Sequence, residues 1–156
     1  MNDLFRPHLR RFIIVFFDDI LVYSSTLDDH VAHLETTFKL LLDHCFHLKG
    51  SKCSIGQQSI QYLGHVVSST GVCPDPSKIK VVIDWPIPSN LKSIRGFLGL
   101  TGFYRHFVKG YASIAYTLTD LLKKDNFIWS DVAIEAFNKL KQALTNALVL
   151  ALLVSI

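Results

Sequence analysis

The sequence predicts an α+β protein, with β-hairpins and one helix in its front half and a run of helices behind. Three observations carry that expectation. Residues 12–17 and 20–23 are dense apolar runs separated by Asp18-Asp19. Glycines at 50, 56, 64 and 71 punctuate short runs through the middle. From residue 89 onward, apolar residues recur at spacings of three and four behind Ser/Asn capping candidates.

The first hairpin follows from Phe12-Ile13-Ile14-Val15-Phe16-Phe17 and Ile20-Leu21-Val22-Tyr23, two β-branched and aromatic runs around a polar turn. Both strands are expected to be buried. Ser25 or Thr26 then caps a helix whose first turn holds Asp28 and Asp29, where the helix dipole favours anions. Leu27, Val31, Leu34, Phe38, Leu41 and Cys45 make one apolar stripe down to about residue 45. Two or three antiparallel strands follow over 47–73, with Ile60 to Val67 the clearest. Pro74 and Pro76, then Pro86 and Pro88, bracket a short helix ending near Trp85 and open a helical subdomain. Its helices are expected at 90–108, capped by Ser89 or Asn90, at 111–123, and at 131–145 behind Ser130, with Ala133, Phe137, Leu140 and Leu144 on one face.

Composition narrows the class. With 156 residues, 49% of them hydrophobic, the chain can build one domain or two small subdomains and is not a disordered segment. A net charge of +3 does not itself imply a nucleic-acid partner. The distribution is more informative, because no acid occurs between Asp43 and Asp75 or between Asp84 and Asp120. Lys49, Lys52, Lys78, Lys80, Lys92, Arg95, Arg105 and Lys109 lie in or beside those gaps. Such segregation fits a polyanion held near an acidic, metal-binding centre, and it also fits chance clustering. Three cysteines without a C-x-x-C pair point to a reducing compartment. Cys45 and Cys53 are expected to pack as small hydrophobes. No four-ligand zinc set can be written from His30, His33, His44 and His47, and His30 and His33 are expected on the exposed side of their helix. No signal peptide is evident, and the apolar stretch Ala147 to Ile156 is too short to span a bilayer.

Adjacent carboxylates between apolar strands repel one another, and a divalent cation resolves that conflict because magnesium takes hard oxygen ligands. A solvated turn is the bland alternative, since Asp is a common turn former. The wider phrase Val15-Phe16-Phe17-Asp18-Asp19-Ile20-Leu21-Val22-Tyr23-Ser24 resembles the aromatic-x-Asp-Asp hairpin of reverse transcriptases, in the form used by gypsy-type LTR retrotransposons. Met1-Asn2-Asp3-Leu4-Phe5 is similar to the helix before that hairpin, and Leu48 to Cys53 to the next palm motif. Tyr62-Leu63-Gly64-His65 resembles the primer-grip hairpin. Asp84-Trp85-Pro86 and Gly96 to Arg105 resemble the palm–thumb junction and first thumb helix. The likeness runs in order from residue 1 to about 150.

The resemblance implies a partial palm over 1–74, a thumb over 75–123, and the start of a connection or RNase H-like region over 124–156. It makes Asp18 the metal ligand of the pair, with Asp19 beside it and Mg2+ as cofactor. Lys52 would lie near the nucleotide phosphates. Phe17 would meet the primer end or incoming nucleotide, and Leu63, Gly64 and His65 would position the primer terminus. An RNA/DNA primer–template is the implied partner, together with the fingers, remaining palm and RNase H portions of a Pol polyprotein. Localisation by family is cytoplasmic or nuclear.

The helix bearing Gly96, Gly99 and Gly102 tests the thumb reading from the residues themselves. Three interior glycines forgo about 3 kcal/mol of helix propensity. Either they allow tight helix–helix packing, or they make a small face with Arg95, Gly99 and Phe103 in line and His106 beside them. Ile94, Phe97, Leu98, Thr101 and Val108 make the core side. The family resemblance favours a face that tracks a duplex by backbone and groove shape.

Two departures shape the expected function. The resembling enzymes carry a further catalytic aspartate on an earlier strand and a fingers subdomain, and neither is present in this sequence. After Ala151 they pass into an RNase H-like domain, whereas this chain reads Leu152-Leu153-Val154-Ser155-Ile156, an ending expected to signal truncation and poor solubility. The expectation is therefore a reverse-transcriptase fragment inactive alone. The alternatives are a duplex-binding module using the thumb, and a polymerase completed by a separate chain.

Overall fold

In the computed structural model, which describes residues 1–154 and the side chains of 1–149, the chain forms two compact units. One is Met1–Gln58 and the other begins at Ser59.

The first unit is built on the predicted hairpin. Strands β1 (Ile13–Phe16) and β2 (Asp19–Val22) pair antiparallel, with Ile13 opposite Val22 and Phe16 opposite Asp19. Because side chains alternate across a strand, Ile13 and Val15 turn inward with Ile20 and Val22, toward Phe5 and Leu41. On the other face Ile14 and Phe16 are exposed and Leu21, opposite Ile14, is buried, so that face is covered only in part. Residues 2–8 form successive turns in place of the expected helix, among them Leu9 N–H to Phe5 O at 2.9 Å, and they close over the hairpin through the fully buried Phe5.

Helix α1 (Leu27–Asp43) starts where Thr26 accepts from the Asp29 amide, as the capping residues predict. Its packed face differs from the predicted stripe. Thr37 and Leu41 are buried, whereas Leu27, Val31, Phe38 and Leu42 are exposed. The physical reason lies in the histidines, which face the hairpin and not solvent. His33 stacks flat on Phe12 with centroids 3.9 Å apart and receives Ser24 Oγ at 2.7 Å, while His30 Nδ1 approaches the same hydroxyl at 3.2 Å. Since that hydroxyl carries one proton, one imidazole accepts it and the other donates to the oxygen. Cys45 and Cys53 are exposed, contrary to the expected packing; Cys45 follows the helix with a positive φ, and Cys53 ends a 3₁₀ turn over Gly50–Lys52.

The second unit opens with a three-stranded antiparallel sheet, β3 (Ser59–Tyr62), β4 (His65–Ser68) and β5 (Gly71–Pro74), in that order. The run Ile60 to Val67 is thus a hairpin and not one strand, because it reverses at Leu63-Gly64. Asp75 caps α2 (Pro76–Ile83) by accepting from the amide and hydroxyl of Ser77, with Pro76 in the first turn where its missing N–H costs nothing. Asn90 caps α3 (Leu91–Phe103), which ends five residues earlier than predicted in a 3₁₀ turn over Arg105–Phe107. Helix α4 (Tyr111–Asp120) is also shorter than expected, and α5 (Asp131–Val154) is longer. Ser130 caps α5 through the Ala133 amide at 3.2 Å.

The core of this unit joins the four helices through Ile79, Phe97, Leu118, Phe137, Leu140 and Leu144. An aromatic chain threads it: Trp85 meets Phe97 edge-on at 5.8 Å, Phe97 meets Phe137 at 4.5 Å, and Trp129 meets Phe137 at 5.8 Å. Lys141 lies over the Phe137 ring at 4.6 Å and donates to the carbonyls of Ile83 and Trp85, satisfying acceptors at the end of α2. No helix among the described residues is long and apolar enough to cross a membrane. The expectation placed on Leu152 to Ile156 concerns side chains outside the described residues.

Candidate functional site

The carboxylates stand at the tip of the first hairpin. Phe17 and Asp18 form its two-residue loop, and Asp19 pairs with Phe16 in the ladder. A loop this short needs a residue at positive φ, and Phe17 supplies it at 51°. A bulky residue there is strained, and its ring stands at 81% exposure, edge-on to Phe16 at 4.8 Å. Asp18 and Asp19 are both exposed, so the burial expected to aggravate their repulsion is absent. Their oxygens are the hard donors a divalent cation takes, and magnesium keeps several waters when held by one or two carboxylates. Among the described residues, no group of three or more His, Cys, Asp or Glu is placed to hold a metal. The donors are therefore right in kind and too few for a closed protein cage. Lys52, at the end of its 3₁₀ turn, is exposed and forms no ion pair among the described residues.

In the second unit, four of the remaining six candidates come together. Tyr62 pairs with His65, leaving Leu63 and Gly64 as a loop with φ of 50° and 75°. Positive φ at both central residues is the form that matches strand twist in a two-residue hairpin. A methyl group on Gly64 would lie 3.3 Å from Phe103 Cε1 and 3.4 Å from the Tyr104 hydroxyl, so the turn seats directly on the end of α3. His65 packs against the rings of Phe103, Tyr104 and Phe107 at 5.2, 5.5 and 5.8 Å, and its Nδ1 lies 2.9 Å from Leu63 O. Phe103 remains half exposed beside this cluster.

Arg95 lies two turns and Gly99 one turn before Phe103 on the exposed side of α3, a line about 12 Å long at 1.5 Å per residue. The three helix glycines divide between the two readings open at the outset. Gly96 is close to the Trp85 ring, where a methyl would sit 3.3 Å from Cζ2, and Gly102 is equally close to the Tyr111 hydroxyl. A methyl on Gly99 would meet no other group within 4 Å among the described residues. Tight packing thus accounts for two of the glycines, and the open face for the third. Lys92, Arg95, Arg105 and Lys109 are all exposed, and none forms an ion pair among the described residues.

Tyr104 is the residue the sequence reading passed over. It is 1% exposed, and its hydroxyl donates to Gly64 O at 2.6 Å. The signal was available, because 94, 97, 101, 104 and 108 continue one core-facing helical period. Burial pushes its hydroxyl above the ordinary tyrosine range, the charge of Asp75 adds to that, and a backbone N–H at Asp75 opposes it.

Comparison with known proteins bears on both sites. A family described as reverse transcriptase (RNA-dependent DNA polymerase) matches residues 1–67. The Retrovirus-related Pol polyprotein from transposon 297 of Drosophila melanogaster is 41% identical over 143 residues, 90% of this chain and 14% of that protein. An uncharacterized mitochondrial protein of Arabidopsis thaliana is 46% identical over 122 residues, with 77% of each chain covered. The Pol polyprotein from transposon gypsy of Drosophila melanogaster is 36% identical over 126 residues, 81% of this chain and 12% of that one. Against the Drosophila polyproteins, the chain spans only about a seventh of their length or less. Among solved structures, a foamy viral protease–reverse transcriptase in complex with double-stranded DNA matches with a TM-score of 0.83 at 25% identity, covering 93% of this chain and 26% of that one. The same kind of protein in complex with an RNA/DNA hybrid matches at 0.80, covering 92% and 20%.

Proposed function

Since the chain belongs to the reverse-transcriptase family of gypsy-type LTR-retrotransposon Pol polyproteins, we propose that it provides the rear of the palm and the thumb of an RNA-directed DNA polymerase and holds a primer–template duplex. In this reading residues 1–74 are palm, 75–123 thumb, and 124–156 the start of a connection region. The observation that carries it is the seating of the Leu63–Gly64–His65 turn on Phe103, at the end of an exposed helix line that also holds Arg95 and Gly99. A small residue between a cation and an aromatic ring lets a backbone come close, and such a face reads shape and charge and not sequence. The foamy viral relatives, seen with double-stranded DNA and with an RNA/DNA hybrid, support a duplex as the ligand.

At the other site Asp18 and Asp19 would hold Mg2+, which when bound supplies charge stabilisation at the attacking and leaving oxygens of nucleotidyl transfer. Phe17 packs its exposed ring toward the primer end, and Lys52 meets nucleotide phosphate. Two carboxylates from one hairpin leave most metal positions to water and substrate, and the chain does not polymerise unaided.

Two measurements with the purified chain test this. Its affinity for a short RNA–DNA hybrid should fall steeply with salt, as counterion release requires. The Arg95→Ala, Phe103→Ala double variant should weaken binding by about thirtyfold, since an aromatic contact and a phosphate contact each contribute on the order of 1 kcal/mol. Unchanged affinity would remove the interface. Magnesium-dependent primer extension should be absent; extension abolished by Asp18→Asn or Asp19→Asn would overturn the claim of inactivity while confirming the aspartates.

A further inference from the structure

The Gly64 carbonyl is held from two directions. The Tyr104 hydroxyl donates to it at 2.6 Å from a position 40 residues away, and the Asp75 amide donates to it at 3.2 Å. Leu63, the residue before it, keeps a left-handed φ of 50° that a leucine adopts only when its surroundings impose it. The side chain of Asp75 is already committed to Ser77, and the Asp75 amide is part of the backbone that starts α2. Tyr104 is thus the side chain that reaches the turn from another element and bonds to it. Its ring also forms one wall of the cluster in which His65 sits.

We propose that Tyr104 is a positioning residue whose hydroxyl, through the Gly64 carbonyl, fixes the Leu63–Gly64 turn in the form that meets the duplex. The proposal rests on the duplex-interface reading, and it assigns to the end of α3 a second task besides contact. Phe103 and Tyr104 are successive residues pointing to different ends: one ring stays half exposed at the surface, and the other hydroxyl sets the turn beneath it. Helix and turn then present themselves to the duplex as one piece.

Tyr104→Phe keeps the ring and removes only the hydroxyl, so it separates this role from core filling. Amide hydrogen exchange at His65 and Asp75 should accelerate about fivefold or more, while amides of α4 and α5 stay near wild-type rates, because one lost hydrogen bond of ordinary strength acts locally. Affinity for the RNA–DNA hybrid should fall by about five- to tenfold. The affinity advantage of wild type over the variant should hold through neutral pH and disappear as the Tyr104 hydroxyl ionises, followed by tyrosinate absorbance, at a pH above the ordinary tyrosine value. A variant that matches wild type in exchange and affinity would overturn the proposal, and so would faster exchange throughout the unit, which marks a merely structural role. If wild type binds no duplex, or Arg95→Ala with Phe103→Ala changes nothing, the interface reading fails and the duplex half of the proposal fails with it. The exchange rates would still decide whether the hydroxyl sets the turn.

Discussion

Replacing Phe97 with alanine is expected to lower the stability of the second unit by about 3–5 kcal/mol, the range for emptying a fully buried aromatic site. Phe97 is 0% exposed and links Trp85 on one side to Phe137 on the other. Few neighbours can move in to fill the space. Gly96 is already pressed against the Trp85 ring, and Lys141 pins the Ile83 and Trp85 carbonyls, so the α2 end cannot easily slide inward. Urea denaturation should show a lower midpoint with an unchanged slope. A loss below about 1.5 kcal/mol would mean the site collapses freely, and the aromatic chain would not be the keystone described. The same substitution should weaken duplex binding indirectly, because α3 loses the seat from which Arg95, Gly99 and Phe103 are presented.

The second large effect is expected at Gly64. Gly64→Ala places a methyl 3.3 Å from Phe103 Cε1 and 3.4 Å from the Tyr104 hydroxyl, at a φ of 75°. A left-handed conformation costs an ordinary residue roughly 1–2 kcal/mol. Displacing the Tyr104 hydroxyl forfeits about 1 kcal/mol more. A total of about 2–3 kcal/mol is expected, with hybrid affinity falling by tenfold or more because turn and ring move together. Gly99→Ala is the matched control. It meets open space inside a helix, and should stabilise the unit by up to about 1 kcal/mol while leaving His65 and Asp75 exchange unchanged. Equal thermal stability of Gly64→Ala and wild type would refute the account of the turn.

The parts of the molecule legible in its sequence are those fixed by neighbours along the chain. The hairpin around Asp18-Asp19, the Thr26, Asn90 and Ser130 caps, and the buried face of Ala133, Phe137, Leu140 and Leu144 all depend on residues within a few positions. The misread parts depend on distant partners or on an atypical turn residue. Ile60 to Val67 looks like one strand because Leu63 is apolar and occupies a left-handed turn position where glycine or asparagine is the usual sign. Leu27, Val31 and Phe38 of the expected stripe are exposed, and nothing local announces that His33 will stack on Phe12 or that Thr37 will be buried in their place. At the candidate sites, the phrases around Asp18-Asp19 and over Tyr62 to His65 mark segments that the structure folds as hairpin turns. The strut from Tyr104 to Gly64 spans 40 positions, and no local rule reports it.

Phe17 and Leu63 share a property beyond their place in two-residue loops: each holds a bulky side chain at a backbone angle that favours glycine. A laboratory evolution scheme that rewarded only melting temperature would replace both, since asparagine or glycine relieves the strain at once. Those replacements would also erase the two apolar tips, so on the proposed nucleic-acid interface the fittest survivors of such a screen would be the ones with the weakest grip. On that proposal, thermal tolerance and grip are set against each other at the same two codons.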